Sequence, residues 1–168
     1  AFVMTTAENA KMLTDSWVRI NASGGSVSHY SLGQETDAAT LGWGVAADRA
    51  YAHSDWGPAD ADFAQIYDSY AAITTIGAEA LGLVPKGEGA RFFRKGHASP
   101  GGKLPFNTNG GLLSAGHTGV GGGMALLIEG IRQLLHRAEA PRQIENARRG
   151  IIGGSGGSYM DAQVLLLE

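Results

Sequence analysis

The stretch that decides the fold runs from Asn107 to Arg137 and reads NTNGGLLSAGHTGVGGGMALLIEGIRQLLHR. Its second half, from Gly119 to about Arg137, has the strongest helical pattern in the chain, because apolar residues recur every three or four positions. These residues are Met124, Leu127, Ile128, Ile131, Leu134 and Leu135. We expect the stripe of the last five, Leu127 to Leu135, to be buried against a sheet.

Strands and helices alternate on both sides of this stretch. The pattern predicts strands at residues 2–5, 18–20, 63–67, 151–152 and 162–167, with an extended segment at 104–107. It predicts helices at residues 6–13, 37–53 and 70–82, a turn at 23–26, a loop over 26–35 and a long surface excursion over 85–105. Such alternation is typical of an α/β layered domain.

Composition excludes several classes of protein. The 168 residues are 43% hydrophobic and 17% charged, so the chain can bury a core. A net charge of −3 without a run of Lys or Arg argues against a nucleic-acid partner, and no apolar run has the length of a membrane span. The chain has no cysteine, which excludes disulfides and a cysteine nucleophile within it and fits a cytoplasmic location. The histidines lack metal-ligand spacing, so we expect no metal site.

The first polar cluster is residues 67–70 (YDSY), directly after the predicted strand 63–67. Ligands of open α/β sheets usually bind beyond the carboxyl ends of strands. The alternative is that Asp68 or Ser69 caps the helix at 70–82.

The second polar cluster contains His117, which is flanked by Gly116 and Gly119 just before the apolar helix. The positive end of a helix dipole favours a neutral imidazole, which suits a hydrogen-bond donor to a developing oxyanion. A histidine that only caps or packs is the alternative.

The remaining candidates are two loops. Residues 153–158 (GGSGGS) join two predicted strands and can either cradle an anion with their backbone N–H groups or form an ordinary connection. Arg91, Arg94 and Lys95 flank two phenylalanines in the 85–105 excursion, where they either meet phosphates or are simply solvated.

The second cluster resembles the Asn-x-x-Gly-Gly…Gly-His-Pro-x-Gly signature of the thiolase superfamily. Residues 67–70 resemble the His-Asp-Cys-Phe motif of the sterol-carrier-protein and lipid-transfer-protein thiolases, as does the segment 86–92 (KGEGARF). Residues 153–158 lie where thiolases have Cys-x-Gly-Gly-Gly. The resemblance extends to the acetyl-CoA acetyltransferases of this superfamily. It covers essentially the whole chain.

The resemblance implies a thiolase-like α/β domain with a five-stranded mixed sheet and helices on both faces, which is half of a five-layered fold. Residues 1–15 would then be the end of the N-terminal half and residues 16–168 the C-terminal domain. The opening at Ala1 on a predicted strand suggests a piece cut from a longer chain, with a processed N-terminus as the alternative. The implied partners are an N-terminal thiolase half, a second copy in a dimer, an acyl-CoA substrate and a small zinc-ribbon/OB-fold subunit.

The resemblance also implies site residues. His117 takes the catalytic position, with Tyr67 and Asp68 in the motif that supplies the family's Asn or His. The substrate-binding residues implied are Asn107, Gly116, Gly154, Ser155 and Gly156. Coenzyme A enters as part of the substrate, and no cofactor is implied.

The sequence departs from the family at two positions. Thr118 replaces the usual proline, and the second catalytic cysteine falls on Gly153, Gly154 or Ser155. Neither residue type suits proton transfer at carbon, which puts ordinary thiolase chemistry in question.

Three functions remain open. The first is the C-terminal half of an acyltransferase that makes or breaks a carbon–carbon bond in a CoA thioester. The second is a retro-aldolase acting on a branched or steroid-side-chain CoA thioester, in which Tyr67, Tyr70 or Tyr159 replaces the cysteine. The third is a non-catalytic module that binds CoA esters or lipids.

Overall fold

The computed structural model describes residues 2–34, 39 and 41–168. The strands are β1 (Ile20–Val27), β2 (Phe63–Ile66), β3 (Gly150–Gly156) and β4 (Asp161–Leu167). The α-helices are α1 (Ala7–Leu13), α2 (Trp43–Tyr51), α3 (Ala71–Ala80), α4 (Gly89–Arg94), α5 (Gly111–Ala115) and α6 (Gly122–Leu134). The order of elements confirms the α/β class.

The sheet has the strand order β1-β4-β3-β2. The pairs β1–β4 and β4–β3 are antiparallel and the pair β3–β2 is parallel, so the sheet is mixed as expected. The prediction of five strands is wrong, because the sheet that the described residues form has four. The extended segment near Phe106 lies beside β2 but makes only an isolated bridge to Ala64, since Asn107 adopts a φ of 44° and turns the chain away.

Helices pack on both faces of the sheet, as predicted. The larger core cluster joins α2 and α3 to one face through Trp43, Ile73 and Leu166. The smaller cluster joins α6 to the other face through Leu126 and Ile152. The two parallel strands, β2 and β3, therefore lie between helices.

The N-terminal third differs from its prediction. Residues 2–5 form no strand, and β1 begins at Ile20 rather than ending there. Residues 23–26 (SGGS), predicted as a turn, lie within β1. The reason is the close approach of α2, since a Cβ on Gly24 would lie 2.0 Å from the carbonyl oxygen of Ala46. Part of the helix predicted at 37–53 lies outside the described residues.

Helix α6 confirms the strongest sequence pattern, but its buried face differs. The predicted stripe (Leu127, Ile128, Ile131, Leu134 and Leu135) is only half-buried. The fully buried face is Gly122, Leu126, Glu129, Gly130 and Gln133. This face is partly polar because it meets a buried hydrogen-bond network on β2 and the segment after it.

Two segments that were predicted as loops contain regular secondary structure. The excursion over residues 85–105 contains the short helix α4, and its Phe92 and Phe93 pack against the larger core cluster. Residues 153–156 belong to β3 and pair with β4, so the connection is a tight turn after Gly156 rather than a six-residue loop.

Candidate active site

An open cavity of about 470 Å³ lies beyond the carboxyl end of β2, where the strand leads into residues 67–70. It is lined by Tyr67, Ser69, Tyr70, Ser155, Gly156, Gly157, Ser158 and Tyr159. This is the edge of an α/β sheet at which ligands usually bind. The structure therefore brings together the first polar cluster and the glycine-rich segment, which are far apart in the sequence.

Tyr67 and His117 form a hydrogen-bonded pair beside this cavity. Tyr67 Oη lies 2.7 Å from His117 Nε2, and the two rings are nearly perpendicular, with an interplanar angle of 84°. His117 itself is exposed. It precedes α6 by one turn of 3₁₀ helix at Gly119–Gly121, so the imidazole lies close to the start of the helix but not on its first turn.

The backbone N–H of Gly119 fixes the tautomer of the His117 ring. It donates to Nδ1 at 2.9 Å, so Nδ1 carries a lone pair and the neutral ring holds its hydrogen on Nε2. His117 Nε2 therefore donates to Tyr67 Oη, and the phenol is free to direct its own hydrogen elsewhere. The imidazole thus donates to the phenol, and the phenol can in turn donate to a further acceptor.

The phenol of Tyr67 stays protonated at neutral pH. Its burial raises its pKa, and the neighbouring Tyr159 and Asp68 raise the pKa further. A protonated phenol is a hydrogen-bond donor and an acid. Tyr67 can thus donate to an oxygen atom of a molecule in the cavity.

Asp68 points away from the cavity. It is 4% exposed, and its Oδ1 accepts the N–H of Leu112 at 2.7 Å. Asp68 thus caps helix α5 rather than α3, whose N-cap position is occupied by Tyr70 without a side-chain hydrogen bond. In this structure Asp68 holds the loop before His117 in place.

Asn107 binds the backbone of β2. Its Oδ1 accepts the N–H of Ile66 at 2.7 Å, and its Nδ2 donates to the Ile66 carbonyl at 2.9 Å. Both ends of the amide are therefore engaged directly before Tyr67. Gly116, with a φ of 115°, lies in open surroundings next to His117.

The three residues 154–156 are held as part of the sheet. Ser155 Oγ donates to the Asp161 carbonyl at 2.9 Å, and the indole N–H of Trp43 donates to the Gly154 carbonyl at 2.8 Å. A Cβ on Gly156 would lie 2.9 Å from an Asp161 carboxylate oxygen. The backbone here lines the cavity, while the hydroxyl of Ser155 is already used.

Ser69, which the sequence suggested only as a helix cap, and Tyr159, one of the three tyrosines suggested as a replacement for the cysteine, both line the cavity. Their hydroxyl groups are hydrogen-bonded to each other in the wall of the cavity. Tyr159 has a φ of 66°, and Ser158 before it has a φ of 58°. A left-handed backbone at two successive non-glycine residues is strained. Residues with such strain cluster at functional sites. The sequence signal for Tyr159 was its position after the glycine-rich segment.

A buried polar network supports the site from below. Glu129 Oε1 accepts from Thr108 Oγ1 at 2.7 Å, from Gln133 Nε2 at 3.0 Å and from Arg142 Nε at 3.2 Å. Thr108 also accepts from Gln65 of β2 at 3.0 Å. The network ties α6 to the strand and the loop that carry Tyr67 and Asn107.

Within residues 2–34, 39 and 41–168, no cluster of three or more His, Asp or Glu side chains has the geometry of a metal site. In the same part of the chain, no helix combines the length and apolarity needed to cross a membrane.

Comparison with known protein families matches residues 24–168 to the thiolase C-terminal domain-like family. The chain belongs to this family, which confirms the resemblance drawn from residues 107–119. The motif with His117 and the cavity at the end of β2 both lie within the matched region.

Several curated relatives are similar to the chain. An acetyl-CoA acetyltransferase from Methanothermobacter thermautotrophicus is 34% identical over 94% of the chain and 42% of its own length. Bovine sterol carrier protein 2 is 38% identical over 61% of the chain, and a 17-hydroxy-3-oxo-4-pregnene-20-carboxyl-CoA lyase from Mycobacterium tuberculosis is 38% identical over 54%. The matches span 19% and 23% of these two proteins.

Among solved structures, the Ltp2-ChsH2(DUF35) aldolase superposes with a TM-score of 0.81 at 22% identity. The match covers 95% of this chain and 42% of that one. It shows that the two share the thiolase-like fold. The chain thus spans about two fifths of the length of the archaeal acetyltransferase and of the aldolase chain.

Proposed function

We propose that this chain is the C-terminal half of a thiolase-like enzyme that acts on a CoA thioester and cleaves a carbon–carbon bond by a retro-aldol reaction. The observation that carries the proposal is the hydrogen bond between Tyr67 and His117 beside a cavity lined by a second phenol, Tyr159. The lyase from M. tuberculosis, which is similar over half of the chain, supports the same reaction class.

The retro-aldol reaction requires two proton transfers and the stabilisation of the enolate oxygen on which negative charge develops. A base removes the proton of a β-hydroxyl, the bond between the α- and β-carbons breaks, and a carbonyl forms at the β-carbon. The electron pair moves to the α-carbon as a thioester enolate, which then takes up a proton. A donor placed at the enolate oxygen stabilises the charge that develops there.

Tyr67 is suited to the role of that donor. Its phenol is protonated and accepts a hydrogen bond from His117, which polarises the O–H group. We assign the proton transfers to Tyr159, whose hydroxyl lines the same cavity and is held by Ser69. Both assignments use groups that meet at one cavity without any cysteine in the chain.

Acyl transfer with coenzyme A is the second candidate, because the archaeal acetyltransferase is similar over nearly the whole chain. It requires an acid/base near residues 153–155. Ser155 is poorly suited, since its hydroxyl donates to the Asp161 carbonyl, and glycine has no group to offer. The geometry therefore favours the retro-aldol reaction.

The proposal includes an assembly. We assign residues 1–15 to the end of an N-terminal thiolase half and residues 16–168 to the C-terminal domain, in a cytoplasmic dimer. Large apolar side chains in the segments that carry Tyr67 and His117 are exposed, with Leu113 at 57%, Met124 at 47% and Tyr70 at 66%. Exposed apolar groups around a site are suited to packing by another domain or a small zinc-ribbon/OB-fold subunit.

The test uses the enzyme that contains this domain together with its N-terminal half. It is given a branched 3-hydroxyacyl-CoA without free coenzyme A, and in a second reaction a 3-ketoacyl-CoA with coenzyme A. We expect the first reaction to release a shorter acyl-CoA and a ketone or aldehyde, measured by mass spectrometry. Turnover of the second substrate alone, with uptake of one coenzyme A per cleavage, would establish acyl transfer instead.

A matched pair of tyrosine variants tests the site assignment. Tyr67→Phe removes only the hydroxyl, and we expect kcat to fall by about 10²–10⁴. Tyr30→Phe is the control, because the Tyr30 side chain is 87% exposed and is not among the residues that line the cavity. Tight binding of both CoA esters without any turnover would favour a binding module over an enzyme.

A further inference from the structure

A second cavity, of about 350 Å³, lies beside helix α4 in the 85–105 excursion. Its lining shares no residue with the cavity of the candidate active site. The lining residues are Val84, Pro85, Glu88, Arg91, Phe92, Lys95, His97 and Lys103. A volume of this size is at the lower end of what small-molecule sites have.

The cavity concentrates positive charge in a chain whose net charge is −3. Five Lys or Arg residues and a single acidic residue, Glu88, lie between positions 86 and 103. Glu88 pairs with Arg91 at 3.6 Å on the exposed surface. Among the described residues, neither Lys95 nor Lys103 has an acidic partner within ion-pair distance. Two cations in the lining are therefore available to an anion.

The lining also contains aromatic and apolar side chains. The rings of Phe92 and His97 are 5.3 Å apart, and Phe92 also packs on Phe106, with 6.1 Å between centroids. Val84, at 2% exposed, is a buried apolar part of the lining. An aromatic wall of this kind is suited to stacking against a planar ring.

We propose that this cavity binds an organic phosphate on an aromatic body, which is the chemistry of a nucleotide. The phosphate oxygens would meet Arg91, Lys95 and Lys103, and the base would lie against Phe92 and His97. Arg and Lys are the usual phosphate ligands, and charge-assisted hydrogen bonds are the stronger ones. The ligand's source is either a free nucleotide or the adenosine end of a CoA thioester, and only the second source rests on the proposed function.

Isothermal titration calorimetry of the chain with five probes tests the proposal. The probes are ADP, adenosine 3′,5′-bisphosphate, coenzyme A, adenosine and inorganic phosphate. We expect the nucleotides to bind more tightly than adenosine or phosphate alone, because both halves of the cavity are then used. Preference for adenosine 3′,5′-bisphosphate and coenzyme A over ADP identifies the CoA source, and the reverse preference identifies a free nucleotide.

A double variant and its charge-matched control locate the site. We expect Lys95→Gln with Lys103→Gln to weaken ADP binding by about tenfold or more. The control is Arg94→Gln with Arg137→Gln, which removes the same charge from residues outside the lining and should leave the affinity within about twofold. Equal weakening by both double variants, or no binding of any nucleotide to the unmodified chain, overturns the proposal independently of any result on catalysis.

Discussion

The carboxylate of Asp68 fills the space in which a side chain on Gly111 would lie. A Cβ on Gly111 would be 2.1 Å from Asp68 Oδ2, and Gly111 has a φ of 62°. The same carboxylate accepts the N–H of Leu112, so the glycine lets the start of α5 approach the acid. Two motifs that are 43 positions apart are thus parts of one contact.

The first prediction follows from this contact. Asp68→Ala leaves the buried N–H of Leu112 without its acceptor, and we expect the free energy of unfolding to fall by about 1–3 kcal/mol. Chemical denaturation followed by circular dichroism measures the change. Asp15→Ala is the control, because Asp15 is exposed, and it should change stability by less than about 0.5 kcal/mol. A similar loss in both variants would contradict the capping role.

The second prediction compares two glycines on helix α6. A Cβ on Gly130 would lie 2.5 Å from Ile152 Cδ1 of β3, whereas a Cβ on Gly123 meets nothing within 4 Å. We expect Gly130→Ala to destabilise the chain by about 1–3 kcal/mol through overpacking. Gly123→Ala should instead stabilise it by up to about 1 kcal/mol, because alanine is the better helix former. Equal midpoints of thermal unfolding for both variants would show that α6 does not depend on this close approach.

The sequence predicted those elements whose local pattern and tertiary contacts agree. Helices α1 and α3 and strand β2 fall within the predicted ranges, because α1 has a clear N-cap, α3 has a helical apolar period and β2 is a short, mainly apolar run. Strand β1 was missed because residues 23–26 have turn composition. Their glycines serve the contact between Gly24 and α2, which no local window contains.

The buried face of α6 was misjudged for a related reason. Hydrophobic period assigns buried positions by side-chain polarity alone, so it gave no reason to place Glu129 and Gln133 on the buried face. Both are buried against partners from other elements: Thr108 and Arg142 donate to Glu129, and the Thr108 hydroxyl and the Arg142 carbonyl accept from Gln133. Partners of this kind become visible only once the strands are assembled.

For the candidate site, too, one part could be predicted from the sequence and another could not. The motifs identified Tyr67 and His117, which the structure places in direct contact. Motifs alone could not separate the residues facing the cavity from those that support them. The side chains of Asn107 and Ser155 form hydrogen bonds with backbone atoms of Ile66 and Asp161, and such contacts depend on the tertiary structure.

The third prediction concerns the titration of His97. Its pKa lies below that of an ordinary histidine, because desolvation disfavours the charged ring and Lys103 and Lys95 repel it. We expect an NMR titration of the ring protons to give a midpoint below that of a histidine in a model peptide. The midpoint should rise in Lys103→Gln, because removing a nearby cation favours the protonated ring. Arg137→Gln is the control, and an equal rise in that variant would assign the shift to overall charge.

The last prediction concerns His117 in the complete enzyme. Gly119 engages Nδ1, so Nε2 is the ring atom that donates to Tyr67, and the two nitrogens have separable roles. We expect His117→Ala to lower kcat by about 10²–10⁴. The melting temperature should move little, because the side chain is exposed. His53→Ala replaces another exposed histidine and should leave kcat unchanged.

Two amide variants then distinguish a donor to Tyr67 from a cap on the loop. In His117→Asn the side-chain oxygen can take the place of Nδ1 and accept from Gly119, but the amide is too short to reach Tyr67. In His117→Gln the amide nitrogen can take the place of Nε2 and donate to the phenol. If the donor chain matters, Gln restores part of kcat and Asn restores none. Recovery with Asn but not with Gln would show that His117 acts by capping the loop, and the catalytic assignment would then be wrong.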